Sequence, residues 1–434
     1  MRALDWNQLL NANRLHLDAG GRIECYYQEE TPPRTPAEAD IQRIIFSAPF
    51  RRLAGKTQVH PLAKVDYVHN RLTHSLEVAE TGAGLAQRLT ARLGLSPEDI
   101  TAATLHVKAA CLGHDIGNPP YGHAGEFAIQ AWVEEHAEEL GALLAEDAPS
   151  PDAPTPEAIL EDFRKFDGNA QAFRLLSHPS PAEGAYFRLT CASLGALMKY
   201  PRCAIETPSA KFSCFQTAKP AFSCVTKALG LQGEKGIKRH PLSYLTEIAD
   251  DICYCVTDCE DAVLMGILDE RLVREWYLQL LETPHSLTSP SVNLSFLRAK
   301  VIGDLMQSFT EDLTHAFQHP ESLASFEASS PTWQRLHTLK ENYKIVFDDA
   351  AKVRKELNAQ LHFQRVLDAC FSVTRHIRTE RPKYNEALLR KYTYGEAFIA
   401  ANQTRPFSWW LHTMFDFITG MTDAYLHRFS EGLH

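Results

Sequence analysis

The chain has 434 residues, of which 44% are hydrophobic and 23% charged, and a formal net charge of −10. Its length allows a large buried core, and no run approaches the roughly 18 uncharged apolar residues of a membrane-crossing helix. The acidic balance, with no Lys/Arg-rich block, excludes long-range attraction of nucleic acid by bulk charge but leaves room for a local polyanion site.

Residues 1–40 read as an irregular N-terminal segment that ends in the Pro-rich TPPRTPAEAD, with Asp40 as the expected cap of the next element. The opening MRALDWNQLL lacks the apolar stretch of a secretory leader, which predicts a cytoplasmic protein. Ten scattered cysteines suit reduced thiols in the same compartment. Cys253, Cys255 and Cys259 lack a CxxC pair and run along one predicted helix, so they read as core rather than zinc ligands.

IQRIIFSAPFRRLAGKTQVHP groups Ile41, Ile44, Ile45, Phe50 and Leu53 and places Arg51, Arg52 and Lys56 beside Gln58. A long helix is predicted over KVDYVHNRLTHSLEVAETGAGLAQRLTARLG, with Leu76, Val78, Leu85 and Leu89 on its buried side and Arg71 and His74 near its start. The next helix carries Ala103 to Asp115 and ends in the doublet His114–Asp115. Gly117, Asn118, Pro119 and Pro120 break it, and a helix from Gly122 to about Leu140 follows. That helix opens with His123 and Glu126, an imidazole and a carboxylate three residues apart on one face.

Residues 141–157 are an acidic, Pro-rich insertion. A helical pattern resumes at AILEDFRKFDGNAQAFRLLS, broken at Gly168–Asn169. YFRLTCASLGALMKYPR is a further predicted helix that Pro201 stops, with Lys199 and Tyr200 at its exit; residues 202–237, with Lys211 and Lys219, read as loop. In HPLSYLTEIADDICYCVTDCEDAVLMGIL, Asp250, Tyr254 and Asp258 recur every four residues as a polar stripe. Ile252, Val256, Cys259 and Val263 supply the apolar face that fixes this helix in the core. Amphipathic helical runs fill residues 271–434, and Trp409 and Trp410 are read as packing or subunit contacts. Without repeats or a strand series the chain is predicted to be all-α.

His74, the doublet His114–Asp115 and the distant Asp250 together offer two nitrogen and two oxygen ligands. Adjacent side chains on a helix diverge by about 100°, so the doublet needs partners from other segments to enclose an ion. Such a mixed set leaves open positions on a divalent ion for water and a phosphate oxygen.

NRLTHS, GHDIGNPPYGHAGE and EIADDICYCVTDCEDA, in this order, resemble the defining segments of the HD-domain dNTP triphosphohydrolases, the dGTPase family. FSAPFRRLAGKTQV, FDGNAQAFR, LGALMKYPR, KRHPLSYL and the terminal DFITGMTDAY are similar to further family segments. The resemblance implies an all-α HD-domain core over residues 41–270, with further helices over 271–434 packed on it. It implies hydrolysis of dGTP or several dNTPs to deoxynucleoside and inorganic tripolyphosphate. His74, His114, Asp115 and Asp250 then match the metal ligands, with Mn²⁺ or Mg²⁺ expected and Fe, Co or Ni as further candidates. His123 and Glu126 match the catalytic pair, the imidazole serving as acid or base. Gln58, Tyr254 and Asp258 match positions around the sugar, and Arg71, Asn169, Lys199, Tyr200 and Lys211 positions around the phosphates and pocket. Asn118 and Asp251 stand where relatives carry histidine and lysine. Family likeness also implies a homo-oligomer, hexamer or tetramer, and a single-stranded DNA or dNTP effector. The alternatives are an HD phosphohydrolase acting on other nucleotides, or a nucleotide- or ssDNA-responsive binding protein with a regulatory HD site.

Overall fold

The computed structural model describes residues 4–17, 22–30, 33–61, 68–147, 153–179, 186–234, 236–282, 292–377 and 384–433. Among them the fold is all-α apart from two short antiparallel hairpins, one of which pairs β1 (Arg14–Leu17) with β2 (Ile23–Tyr26). No helix among the described residues is long and apolar enough to cross a membrane.

The helices that carry the sequence motifs pack on one another at the centre. They are α1 (Pro36–Ile45), α2 (Arg71–Arg92), α3 (Pro97–Gly113), α4 (His123–Glu135), α5 (Gly168–Ser177), α6 (Cys191–Leu197) and α7 (Pro241–Leu264). α2 and α3 lie side by side, and α7 packs across both. Gly113 ends α3, and four residues further on Gly117 lies so near the opening of α5 that a Cβ would come within 2.1 Å of the Gly168 carbonyl and the Ala172 amide. Four later helices matter for the site: α8 (Leu294–Gln318), α9 (Pro331–Tyr343), α10 (Ala350–Arg375) and α11 (Phe407–Thr419). α8 and α9 pack on α7, and α10 packs on α4. One apolar core therefore draws residues from both sides of residue 270, from Leu85 and Ile248 to Phe309 and Phe363.

Several expectations are corrected. The N-terminal segment is not irregular throughout: it holds the first hairpin and the first half of α1. Asp40 lies inside α1, where Thr35 is the cap, and it is buried because it pairs with Arg14. The described part of the long helix starts at Arg71, capped by Asn70, with His69 already outside it; residues 64–67 of the expected helix lie outside the described residues. Leu76 is 45% exposed rather than on the buried side, whereas Val78, Leu85 and Leu89 are core. Gly168–Asn169 open a helix rather than break one, because Asp167 caps α5. Residues 202–237 contain a helix, Lys219–Ala228, which Pro220 starts in its first turn. The expected helix over residues 122–140 is interrupted at His136. Of the acidic insertion, residues 148–152 lie outside the described residues. All ten cysteines are free thiols, and Cys253, Cys255 and Cys259 are buried as core.

Arg14 ties the first hairpin to α1 from a fully buried position. Its Nε donates to Glu30 at 2.9 Å, and its Nη1 to Asp40 at 2.5 Å and to the Arg188 carbonyl at 2.8 Å. Removing the guanidinium strips buried Asp40 of its cation, while Glu30 keeps Arg34 at 2.6 Å, so Arg14→Met is expected to cost up to about 3–5 kcal/mol of stability, read as a lower urea midpoint.

Candidate functional site

The four expected ligands come together from three helices. His74 stands in the first turn of α2, His114 and Asp115 follow the end of α3, and Asp250 lies mid-way along α7. Ligand atoms of His74, His114 and Asp115 lie within 4.8 Å of one another. Asp250 reaches both rings, with its Oδ1 3.0 Å from His74 Nε2 and 3.6 Å from His114 Nε2. His114 Nδ1 is 2.6 Å from the Cys111 carbonyl. A carbonyl only accepts, so Nδ1 carries the hydrogen and Nε2 faces the cluster as the ligand atom. That Nε2 is buried and has no hydrogen-bond partner.

The electrostatics call for a cation. Burial opposes charge on His114, yet Asp115 and Asp250 push its pKa up to about 9. Burial works against charge on Asp250 as well, but His114 and His74 hold its carboxyl well below the usual carboxylate range. Burial opposes charge on Asp115 too, but Arg71, 2.8 Å from Nη1 to Oδ2, lowers its pKa. The donor set, two imidazoles and two carboxylates, fits a divalent ion that would displace the proton from His114.

Beside the cluster opens a cavity of about 650 Å³, a size that suits a small organic ligand. Its wall contains Gln58, Arg71, His114, Asp115, His123, Glu126, Asn169, Lys199, Tyr200, Lys211, Asp250 and Tyr254. Of the residues expected from sequence, His74 sits behind the wall in the ion cluster, and Asp258 is fully buried beyond it. Both Asp258 carboxylate oxygens lack a hydrogen-bond partner, and burial raises its pKa well above the ordinary value. Gln58 Oε1 is likewise buried and unpartnered.

His123 and Glu126 share the cavity, but no hydrogen bond joins them; Glu126 Oε1 instead accepts the Gly168 amide at 2.7 Å. Burial, with Lys211 and Arg71 nearby, lowers His123 to about 4, so its ring is neutral at pH 7. Burial and Asp167 raise Glu126 to about 7. The turn before His123 is set by Tyr121 and Gly122, both at positive φ, and is fastened from the far end of the chain. Asp423 accepts the Tyr121 amide at 2.9 Å through Oδ1 and the Thr57 amide at 2.9 Å through Oδ2. Buried Lys56 donates to the Asn118 carbonyl at 2.6 Å and, at the end of α11, to the Thr419 carbonyl at 2.5 Å.

Sequence reasoning missed the contribution of α9 and α10. Lys340, Phe347, Lys352, Glu356 and Gln360 also line the cavity, and no local pattern marks them.

The all-α fold is that of an HD-domain protein, and the sequence comparisons put the chain in this class of metal-dependent nucleotide phosphohydrolases. Residues 71–194 match the HD domain family. A deoxyguanosinetriphosphate triphosphohydrolase-like protein of Pseudomonas aeruginosa is 33% identical over 97% of each chain, and one of Synechocystis 32% over the same shares. A deoxyguanosinetriphosphate triphosphohydrolase of Serratia proteamaculans is 31% identical over 76% of this chain and 75% of its own. The chain belongs to the HD-domain, dGTPase-like family.

Glu126 gives the metal-free fold a pH dependence. Its pKa is about 7 folded against 4.5 for the free side chain, so between these values the folded state holds more protons and stability falls as pH rises. Glu126→Gln should flatten that fall and, at about pH 8, be more stable than wild type by up to about 3 kcal/mol. Urea melts of the metal-free protein at about pH 5 and pH 8 read both slopes.

Proposed function

We propose that the protein hydrolyses deoxynucleoside triphosphates to deoxynucleoside and inorganic tripolyphosphate. The observation that carries this reading is one cavity that joins an imidazole–carboxylate ion cluster to Arg71, Lys199 and Lys211 and to the Tyr254 ring. His74, His114, Asp115 and Asp250 hold the divalent ion. Such an ion offsets charge on a phosphoryl oxygen and acidifies water.

Water attacks the α-phosphorus, the bond to the 5′-oxygen breaks, and the 5′-oxygen leaves with a proton as the nucleoside hydroxyl. Neutral His123 is in the state to accept a proton, and Glu126, near half-protonation at pH 7, is in the state to hold one. Arg71, Asn169, Lys199, Tyr200 and Lys211 bind the triphosphate. Tyr254 packs against the deoxyribose, where a 2′-hydroxyl would collide with its ring. Gln58 and Asp258 are the partners of the 3′-hydroxyl, whose one hydrogen goes to the orphaned Asp258 carboxyl while its oxygen faces the Gln58 side-chain amide. The proposal includes a cytoplasmic homo-oligomer.

Incubation with each dNTP and Mn²⁺ or Mg²⁺, with products resolved by chromatography, is expected to yield nucleoside and tripolyphosphate. Monophosphate with pyrophosphate would overturn the reading. Tyr254→Ala should cut the dNTP/rNTP ratio of kcat/KM about tenfold or more, and an unchanged ratio removes Tyr254 from sugar discrimination.

A further inference from the structure

The carboxylates that neutralise the basic side chains of the cavity differ in where they stand. Lys199 is held by Glu247 at 2.9 Å and Lys211 by Asp167 at 3.2 Å, and neither acid is part of the wall. Arg71 is held by Asp115, which belongs to the ion cluster. Lys340 of α9 is held at 2.9 Å by Asp251, and Asp251 itself lines the cavity. A carboxylate in that wall repels the polyanion for which the neighbouring cations are arranged.

Glu247 and Asp251 are four residues apart on α7, so they share a face about 6 Å apart along the axis. They therefore hold Lys199 and Lys340 in succession, one helical turn from each other. The Lys340 ammonium also lies 5.6 Å from the centroid of the Tyr254 ring, which fixes it on the side of the cavity that Tyr254 borders. Its side chain is 38% exposed against 11% for Asp251, so the cation is the more accessible partner. Asp250, the preceding residue, turns instead to the two imidazoles, and the ion cluster and the Lys340 pair are thus adjacent on one helix.

We infer that Lys340 and Lys199 form a subsite for the polyphosphate end of the substrate, and that Asp251 is an internal competitor which occupies Lys340 until a phosphate replaces it. This inference rests on the reading of the substrate as a triphosphate. On binding, the ammonium–carboxylate contact gives way to an ammonium–phosphate contact, and Asp251 turns to solvent in the cavity. The two partners of the pair therefore act in opposite directions on a polyanion, which a purely structural ion pair cannot do.

The probe is inorganic tripolyphosphate, titrated calorimetrically into the full-length, metal-loaded protein, with melting curves for each variant. Lys340→Ala and Lys340→Gln are expected to weaken binding about tenfold, Lys340→Arg to stay within about threefold of wild type, and Asp251→Asn to tighten it severalfold. Wild-type affinity in both Lys340→Ala and Lys340→Gln overturns the subsite, as does an Asp251→Asn variant weakened as much as Lys340→Ala, or a wild type that does not bind tripolyphosphate. Product analysis separates this from the substrate reading. If no dNTP yields tripolyphosphate yet the opposite shifts are seen, the substrate reading fails and the subsite stands. If wild type releases tripolyphosphate and Lys340→Ala binds it unchanged, the subsite alone fails.

Discussion

Two carboxylates, the buried Asp115 and the half-buried Asp250, meet where α2, α3 and α7 converge, and burying a carboxylate without compensating charge would cost several kcal/mol. Compensation comes from His74, His114 and Arg71. His74 and Arg71 lie three residues apart in the first turn of α2, so one helix entry supplies both an ion ligand and the guanidinium that balances Asp115. Without an ion, a proton on His114 completes the balance. The packing of the three helices thus fixes a small volume that favours positive charge, and the proton there is exchangeable for a metal ion.

The cavity beside this centre extends the same logic. Its cations, Arg71, Lys199, Lys211, Lys340 and Lys352, each face a carboxylate of the protein. A dry wall of unpaired lysines would repel itself, whereas paired ones stay in place and exchange partners when a polyanion arrives. The wall is also a product of the whole chain. α9 and α10 close one side, and Asp423 and Lys56 pin the turn that aims His123. The later helices are accordingly part of the site's framework rather than an appendage.

What the sequence shows of this follows from range. Asp250, Tyr254 and Asp258 are legible because a helix converts spacing of four into a shared face, and α7 does so. His114–Asp115 and His123–Glu126 are legible because prolines and glycines delimit the turn between them. The joining of His74 with Asp250, 176 residues away, is not local: donor chemistry makes them candidates, and the resemblance to a family singles them out. Lys340 and Glu356 lie outside every motif, since a lysine on an amphipathic helix looks the same whether it meets water or a cavity. Leu76 departs from the expected buried side for a related reason: apolar periodicity marks a face, and a single residue at its edge can still reach the surface. Asp40 resembled a cap by position but is the partner of an arginine 26 residues earlier.

The central claim is that two imidazoles from separate helices and two carboxylates share one divalent ion. Electron spin-echo envelope spectroscopy of the Mn²⁺-loaded protein tests it directly, because each coordinated imidazole imprints its own ¹⁴N modulation. The account predicts one tightly bound ion per chain with two imidazole nitrogens, falling to one in His74→Ala and in His114→Ala. A wild-type spectrum without ¹⁴N modulation, or one that both substitutions leave unchanged, would contradict it.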